Sequence, residues 1–191
     1  MKRIIYLPAL VAIVLFTSCS NNKKVLVMAS GKVQMEGNTV TLDPGTTHNE
    51  ITFEPDGDNI TVVSPSGKKE VAITEPGLYI LNLKNDTLVG SYQETGTDNS
   101  QKVISQEDLW NRVDSLTKLM KGENVSATAK NYNIPPMQAA RITANKDAEI
   151  IGPYRKVPGS LDPSVKHEVY KFYTNKEILE IIENVKKMLA S

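Results

Sequence analysis

The stretch Glu75-Pro76-Gly77-Leu78-Tyr79-Ile80-Leu81 decides the predicted fold class of this chain. Pro and Gly near its start are typical of a turn, because proline presets φ and glycine tolerates a positive φ. The apolar and β-favouring residues that follow predict a strand that begins at this turn. Tyr79 is placed so that its hydroxyl can hydrogen-bond to the backbone of the turn, and we expect a tyrosine corner here.

Residues 25–98 extend this β pattern in both directions. Runs rich in Val, Ile, Thr and Tyr alternate with turn clusters, and no helical periodicity interrupts them, so we expect no parallel crossovers. The predicted strands cover residues 24–29, 32–35, 39–42, 50–54, 59–63, 69–73, 78–83 and 87–92. The segment 75–81 resembles the strand that follows a Gly-containing turn in Ig-like folds. Strand spacing of roughly 8–12 residues predicts a sandwich or a small barrel. The resemblance favours the antiparallel β-sandwich, Ig-like or similar, over residues 25–98, although these residues lack a Cys–Trp–Cys core.

Residues 99–191 predict a mixed α/β region with two amphipathic helices, near 105–121 and 175–189. A capping box precedes each helix, and the residues that form the two boxes are Ser105 with Asp108 and Thr174 with Glu177. Short strands are predicted at 141–143, 148–151 and 167–173, and Ile134-Pro135-Pro136 is predicted to break regular structure. The whole chain is therefore expected to have an α+β fold with a boundary near residue 98.

The segment MKRIIYLPALVAIVLFTSC, residues 1–19, has the pattern of a secretory signal peptide. Lys2 and Arg3 provide the positive start. The apolar run over 4–16 is about 13 residues long, which is shorter than the roughly 20 residues that a transmembrane helix needs. The last four residues, Phe16-Thr17-Ser18-Cys19, resemble the lipobox of bacterial lipoproteins, with Phe where the family most often has Leu.

The lipobox resemblance implies cleavage just before Cys19 and a diacylglycerol thioether, usually with an N-acyl chain, on that cysteine. Residues 1–18 are then a signal peptide and residues 19–24 a lipidated tether. Cys19 is the one cysteine of the chain, and lipidation accounts for an odd cysteine in an oxidising compartment. By family analogy, Ser20 in place of Asp and the lack of acidic residues before Glu36 favour the outer membrane, facing the periplasm.

The composition excludes several classes of function. Lys plus Arg is 22 and Asp plus Glu is 22, so the basic excess of a nucleic-acid binder is absent and no nucleic-acid partner is expected. One cysteine and two histidines provide neither a disulfide framework nor a Cys-rich zinc site. The sequence contains no phosphate-binding glycine loop and no nucleophile elbow, so we predict no cofactor, no metal ligand and no catalytic residue. Asp56-Gly57-Asp58-Asn59 is predicted to be a turn, because Ile60 occupies the next position that a calcium loop would use.

The predicted role is a non-catalytic one, in which a lipid-anchored cell-envelope protein binds or assembles with another envelope component. A glycan-binding module is the first alternative, with Tyr132, Tyr154 and Tyr170 as an aromatic platform for sugar faces, although the same rings also suit a core. An envelope hydrolase with a carboxylate pair or a Ser–His site is the second alternative. The expected partners are the membrane, through the lipid, and an envelope protein or a glycan.

Overall fold

The computed structural model describes residues 22–93, 105–153 and 167–190. Over these ranges the chain forms ten strands and two helices, which confirms the predicted α+β class. In chain order the elements are β1 (Lys23–Glu36), β2 (Thr39–Phe53), β3 (Asn59–Ser64), β4 (Gly67–Ala72), β5 (Gly77–Leu83), β6 (Leu88–Gln93), α1 (Gln106–Met120), β7 (Asn131–Ile134), β8 (Gln138–Thr143), β9 (Glu149–Ile151), β10 (Val169–Thr174) and α2 (Asn175–Leu189).

The first sheet has the strand order β4-β3-β2-β1-β5-β8. Its two edge strands, β4 and β8, approach each other. The Lys69 side chain in β4 donates a 2.7 Å hydrogen bond to the backbone oxygen of Met137, just before β8. The sheet therefore curls almost into a barrel. Its inner face carries an apolar core in which Val25, Val27 and Ile60 are fully buried.

Two strand pairs in the first sheet are parallel, so the prediction of an all-antiparallel arrangement is wrong. β1 pairs with β5, from Lys23 opposite Gly77 to Ala29 opposite Leu83, and β2 pairs with β3 near Thr39. The prediction assumed that parallel neighbours need a helical crossover. Here strands make the connection between β1 and β5, since β2, β3 and β4 lie between them in sequence. β3 pairs with the start of β2, so the rest of β2 and the loop at 54–58 connect that second pair.

β1 and β2 are each one long strand where the sequence predicts two short ones. Their antiparallel register shifts between Ser30 and Gly31, at a bulge. Gly31 has a φ of +121°, and a Cβ at this position would collide with the backbone oxygen of Asp43. Glycine therefore lets the two strands bend without breaking, and the bend contributes to the curl of the first sheet.

The second sheet has the strand order β7-β6-β10-β9 and packs against the outer face of the first. Leu26, Met28 and Ile80 of the first sheet share a core with Tyr170 and Phe172 of the second, and each is at most 1% exposed. Full burial of such a side chain contributes about 1.5–3 kcal/mol. β7 is not predicted from the sequence, because its two asparagines and the prolines that follow it disfavour a strand.

The two helices cover the other face of the second sheet. Val89 of β6 shares a core with Val113 and Leu119 of α1 and with Ile178 and Ile182 of α2. The apolar stripes that predicted these helices therefore face the sheet and each other. Within the described ranges, no helix combines the length and the hydropathy needed to cross a membrane.

Both helices begin at the predicted capping boxes. The Ser105 hydroxyl accepts a 3.1 Å hydrogen bond from the Asp108 N–H, and the Asp108 carboxylate accepts one of 3.1 Å from the Ser105 N–H. The Thr174 hydroxyl accepts a 3.3 Å bond from the Glu177 N–H, and the Glu177 carboxylate accepts one of 2.7 Å from the Thr174 N–H. A cap of this kind typically contributes about 1 kcal/mol to helix stability.

The predicted boundary near residue 98 does not separate two sheets. β6 precedes it in sequence but lies in the second sheet, whereas β8 follows it and lies in the first. An Ig-like sandwich confined to residues 25–98 is therefore not confirmed. The physical reason is that the first sheet is apolar on its outer face as well, and strands from residues 99–191 help to cover that face.

Candidate functional site

The start of β1 lies closer to Cys19 in sequence than the predicted start of the sandwich at residue 25. Lys23 is the first residue of β1, so the predicted tether over 19–24 is too long. Lys23 is 9% exposed, and its ammonium group donates to the Gly57 backbone oxygen at 2.9 Å and pairs with the Asp58 carboxylate. The Gly77 N–H donates a 2.8 Å bond to the Asn22 oxygen. Cys19, like residues 1–18, lies outside the described residues.

The acidic run at residues 56–59 forms the connection between β2 and β3. Asp58 pairs with Lys23, and the Asn38 side chain accepts a 2.8 Å hydrogen bond from the Asp56 N–H. These bonds give the run a structural role in the loop. In the part of the chain that the structure describes, no cluster of three or more His, Cys, Asp or Glu side chains is arranged to hold a metal ion.

A pocket of about 540 Å³ lies beside β8, between the loop that precedes β5 and the start of β10. Most of its wall comes from four backbone segments that are distant in sequence. The charged and hydrogen-bonding side chains that line it are Thr74, Glu75, Tyr79, Lys130, Arg141, Thr143, Glu168 and Tyr170. This concentration of polar groups makes it the candidate functional site.

Glu168 is the central acidic group of the pocket. Its carboxylate accepts hydrogen bonds from the Tyr170 hydroxyl at 2.6 Å and from the Thr143 hydroxyl at 2.9 Å, and the Lys130 ammonium lies 3.8 Å away. Burial by itself would raise the pKa of Glu168, but the hydrogen bonds, with a contribution from Lys130, outweigh it and hold the pKa below its ordinary value. Glu168 is therefore ionised at neutral pH.

The two described tyrosines of the predicted platform are core residues. Tyr132 is 5% exposed and Tyr170 is 1% exposed, and their rings meet edge to face with centroids 5.9 Å apart. Burial raises the pKa of both hydroxyls, and at Tyr170 the bond to Glu168 adds to the effect. Neither ring offers an open face to a sugar, so these two residues do not form a platform. Tyr154 lies outside the described residues.

Arg141 and Glu75 form the other wall of the pocket. The Arg141 guanidinium lies 2.7 Å from the Glu75 carboxylate, and its Nε donates a 2.8 Å bond to the Pro76 backbone oxygen. Gly77 follows directly with a φ of +135°, and a Cβ there would collide with the Thr143 backbone oxygen. The turn before β5 is thereby held against the end of β8.

Lys130 reaches the pocket from a strained backbone position. Its φ is 53°, in the left-handed region, which costs a non-glycine residue roughly 1–2 kcal/mol. Its ammonium group lies 4.1 Å from the centroid of the Tyr92 ring, and its backbone oxygen accepts a 3.1 Å bond from the Tyr92 N–H. The Tyr92 contacts and the ion pair with Glu168 help to offset this strain.

A second polar cluster joins β2 to the segment that follows β5. The Lys84 ammonium lies 3.2 Å from His48 Nδ1, and His48 Nε2 lies 3.0 Å from the Glu50 carboxylate. Burial lowers the pKa of Lys84, and the charge of Glu50 opposes this shift. Because Lys84 is only 6% exposed, the cluster ties structural elements together and does not present its amine to a substrate.

The comparisons give no family assignment. Protein-family models, curated proteins and solved structures were each searched, and none matches the chain.

Sequence reasoning did not find the pocket residues Lys130, Arg141, Thr143 and Glu168. One local signal was available, since Glu168 and Tyr170 are two positions apart at the start of a predicted strand and therefore share a face. Thr143 and Lys130 come from other elements, and only the pairing of the sheets brings them beside Glu168.

Proposed function

We propose that the protein is a lipid-anchored component of a bacterial cell envelope whose folded part binds another envelope component without catalysis. The observation that carries this proposal is the pairing of charges in the pocket. Each of its four charged side chains already has an opposite partner: Glu75 with Arg141, and Lys130 with Glu168. Such a pocket presents a fixed polar surface to a ligand.

The anchoring part of the proposal rests on the lipobox-like segment at Phe16–Cys19 and on the cysteine count. The chain has one cysteine, so lipidation of Cys19 leaves no thiol in the folded part. Two or three acyl chains make a stable anchor, whereas one chain binds membranes only reversibly. The family analogy favours an anchor in the outer membrane, with the protein facing the periplasm.

The binding part of the proposal favours a protein partner. Paired charges of both signs, together with the Thr143 hydroxyl, suit a polar surface without net charge, such as an extended peptide segment. The glycan alternative has less support, because Tyr132 and Tyr170 are buried and stacking on a sugar needs an exposed ring face.

Photo-cross-linking in the bacterial cell tests the binding role. Ala127 lines the pocket and is exposed, so a photoreactive amino acid at position 127 can cross-link to a partner that is bound in the pocket. The exposed Asn85, after β5, is the matched control position. We expect a discrete cross-linked protein at Ala127 that is absent at Asn85 and reduced by Arg141→Gln. Equal patterns at the two positions would contradict the binding role.

A hydrolase is the second candidate, because Glu75 and Glu168 line the same pocket. Hydrolysis by a carboxylate pair needs one carboxylic acid with a raised pKa, and the pKa of Glu168 is lowered instead. Glu75 is held in an ion pair with Arg141. Turnover of envelope glycan or peptide by the purified protein, abolished by Glu168→Gln, would favour the hydrolase over the binding role.

A further inference from the structure

The first residue that the structure describes lies very close in sequence to the proposed lipid anchor. Only Ser20 and Asn21 separate Cys19 from Asn22. Consecutive Cα atoms are about 3.8 Å apart, so the Cα atom of Asn22 lies within about 11 Å of that of Cys19. This upper limit follows from covalent geometry and holds for any path of the chain.

Asn22 and Lys23 are fixed to one end of the first sheet. The Asn22 oxygen accepts from the Gly77 N–H at 2.8 Å, and Lys23 donates to the Gly57 oxygen at 2.9 Å and pairs with Asp58. The Lys23 side chain is only 11% exposed, although that of its partner Asp58 is 63% exposed, so Lys23 is packed against the fold at this end of β1. The tether therefore cannot lengthen without pulling residues out of β1.

We propose that this end of the first sheet lies against the lipid bilayer that holds the acyl chains of Cys19. We name it the basal end, and it comprises the start of β1 and the loops at 54–58, 74–77 and 144–147. The inference rests on the proposed function, since it takes Cys19 to be lipidated. We expect the basal end to contact the bilayer surface, because only two residues separate the lipidated Cys19 from Asn22.

The basic residues at the basal end are paired with acidic ones, so the short tether accounts for the contact with the bilayer. Lys24 lies 3.6 Å from Asp147, and Lys146 lies 3.2 Å from Glu54. A basic residue near an anionic bilayer is attracted to it, and a neighbouring carboxylate offsets that attraction. The short covalent link to the lipid, and not a basic patch, therefore sets the orientation.

The basal end also carries part of the pocket. Thr74, Glu75 and Ala144 line the pocket and lie in the basal loops. The opposite end of β5 is followed by the exposed Asn85. β5 has seven residues with a rise of about 3.3 Å each, so its two ends lie roughly 20 Å apart along the strand, with Asn85 beyond the end that is opposite Gly77.

Site-specific quenching in vesicles tests the orientation. The full chain, processed in a bacterial host, is reconstituted into phosphatidylethanolamine–phosphatidylglycerol vesicles that contain a lipid with a nitroxide headgroup. Because the lipid occupies the native cysteine, an introduced cysteine is the one site for a fluorescent maleimide. We expect loss of fluorescence for Ala144→Cys and unchanged fluorescence for Asn85→Cys. Equal signals at the two positions, or loss at Asn85 alone, would overturn the proposal.

A longer tether provides the matched control. Insertion of about twelve Gly and Ser residues between Ser20 and Asn21 gives a flexible link with a typical span of roughly 20 Å. We expect the loss of fluorescence at Ala144→Cys to disappear while the acyl mass is retained. Persistence of the same loss would show that the basal end binds lipid by itself and would overturn the role given to the tether.

The intact mass of each sample separates this inference from the function on which it rests. An acylated protein with equal signals at the two labelled positions overturns the orientation and leaves the anchor in place. A protein without the acyl mass overturns the anchor and the orientation together.

Discussion

The Tyr79 hydroxyl and the Glu75 backbone form a closed pair of hydrogen bonds. The hydroxyl donates to the Glu75 oxygen at 2.8 Å and accepts from the Glu75 N–H at 3.1 Å. Tyr79 is 5% exposed, so these bonds are made in a setting that water reaches poorly. Arg141 holds the same turn through the Glu75 carboxylate and the Pro76 oxygen. One turn thus joins β5 to β8 and fixes one wall of the pocket.

Removal of the Tyr79 hydroxyl should destabilise the fold. In Tyr79→Phe the Glu75 N–H and oxygen lose their shared partner, and we expect a loss of about 1–2 kcal/mol in the free energy of unfolding. Urea denaturation followed by circular dichroism measures the loss. Tyr173→Phe, in a half-buried ring that packs against the helices, is the matched control and should change stability much less. Equal losses in the two variants would disprove the structural role of the corner.

Gly77 should tolerate substitution much less well than Gly57. Both have a positive φ, +135° and +96°, but a Cβ at Gly77 meets the Thr143 oxygen whereas one at Gly57 meets open space. We expect Gly77→Ala to cost at least about 2 kcal/mol more than Gly57→Ala, because β5 must move away from β8. Thermal denaturation of the two variants measures the difference. Similar melting temperatures would mean that the close approach at Gly77 contributes little.

The contribution of Glu168 to the free energy of unfolding should decrease as the pH falls. Its pKa is lowered on folding, so its ionised form stabilises the fold above the ordinary value of 4.5, and this contribution is lost as the pH falls through the folded value. Glu168→Gln should therefore lose less stability than the wild type between pH 7 and pH 3, measured by urea denaturation. Glu180→Gln, on the exposed face of α2, should keep the wild-type pH profile. A wild-type profile in Glu168→Gln would rule out this contribution.

Tyr170 and Glu168 should be energetically coupled. Tyr170→Phe removes the 2.6 Å hydrogen bond to the carboxylate, and a bond to a charged group is worth about 1.5–3 kcal/mol. We expect the double variant with Glu168→Gln to be more stable than the sum of the single losses implies, by about 1 kcal/mol or more. A double-mutant cycle in urea measures this term. Strict additivity would show that the two groups act independently.

Local features of the sequence predicted the local features of the fold. The corner at Tyr79 and the two capping boxes depend on residues at most four positions apart, and all three are present. The helices at 105–121 and 175–189 agree with α1 and α2 to within a residue. Such motifs can be read from one sequence because nearby backbone and side-chain groups satisfy each other's hydrogen bonds.

Long-range pairing could not be read in the same way. The parallel pairs of β1 with β5 and of β2 with β3 depend on how the sheet curls, and strand periodicity carries no information about that. The burial of Lys23 follows from contacts with residues 57 and 58, far along the chain. The pocket around Glu168 likewise needs β8 and β10 in place before its groups meet, so no motif marks it.

The proposed location in the cell envelope depends on a lipid at Cys19. The most direct measurement is the intact mass of the protein purified from membranes, together with that of Cys19→Ala. We expect a wild-type chain that begins at Cys19 and carries a diacylglycerol thioether with an N-acyl chain. We expect the Cys19→Ala chain to retain residues 1–18 and to carry no lipid. An unmodified thiol at Cys19, or an acyl mass that persists in the variant, would contradict the proposed lipidation.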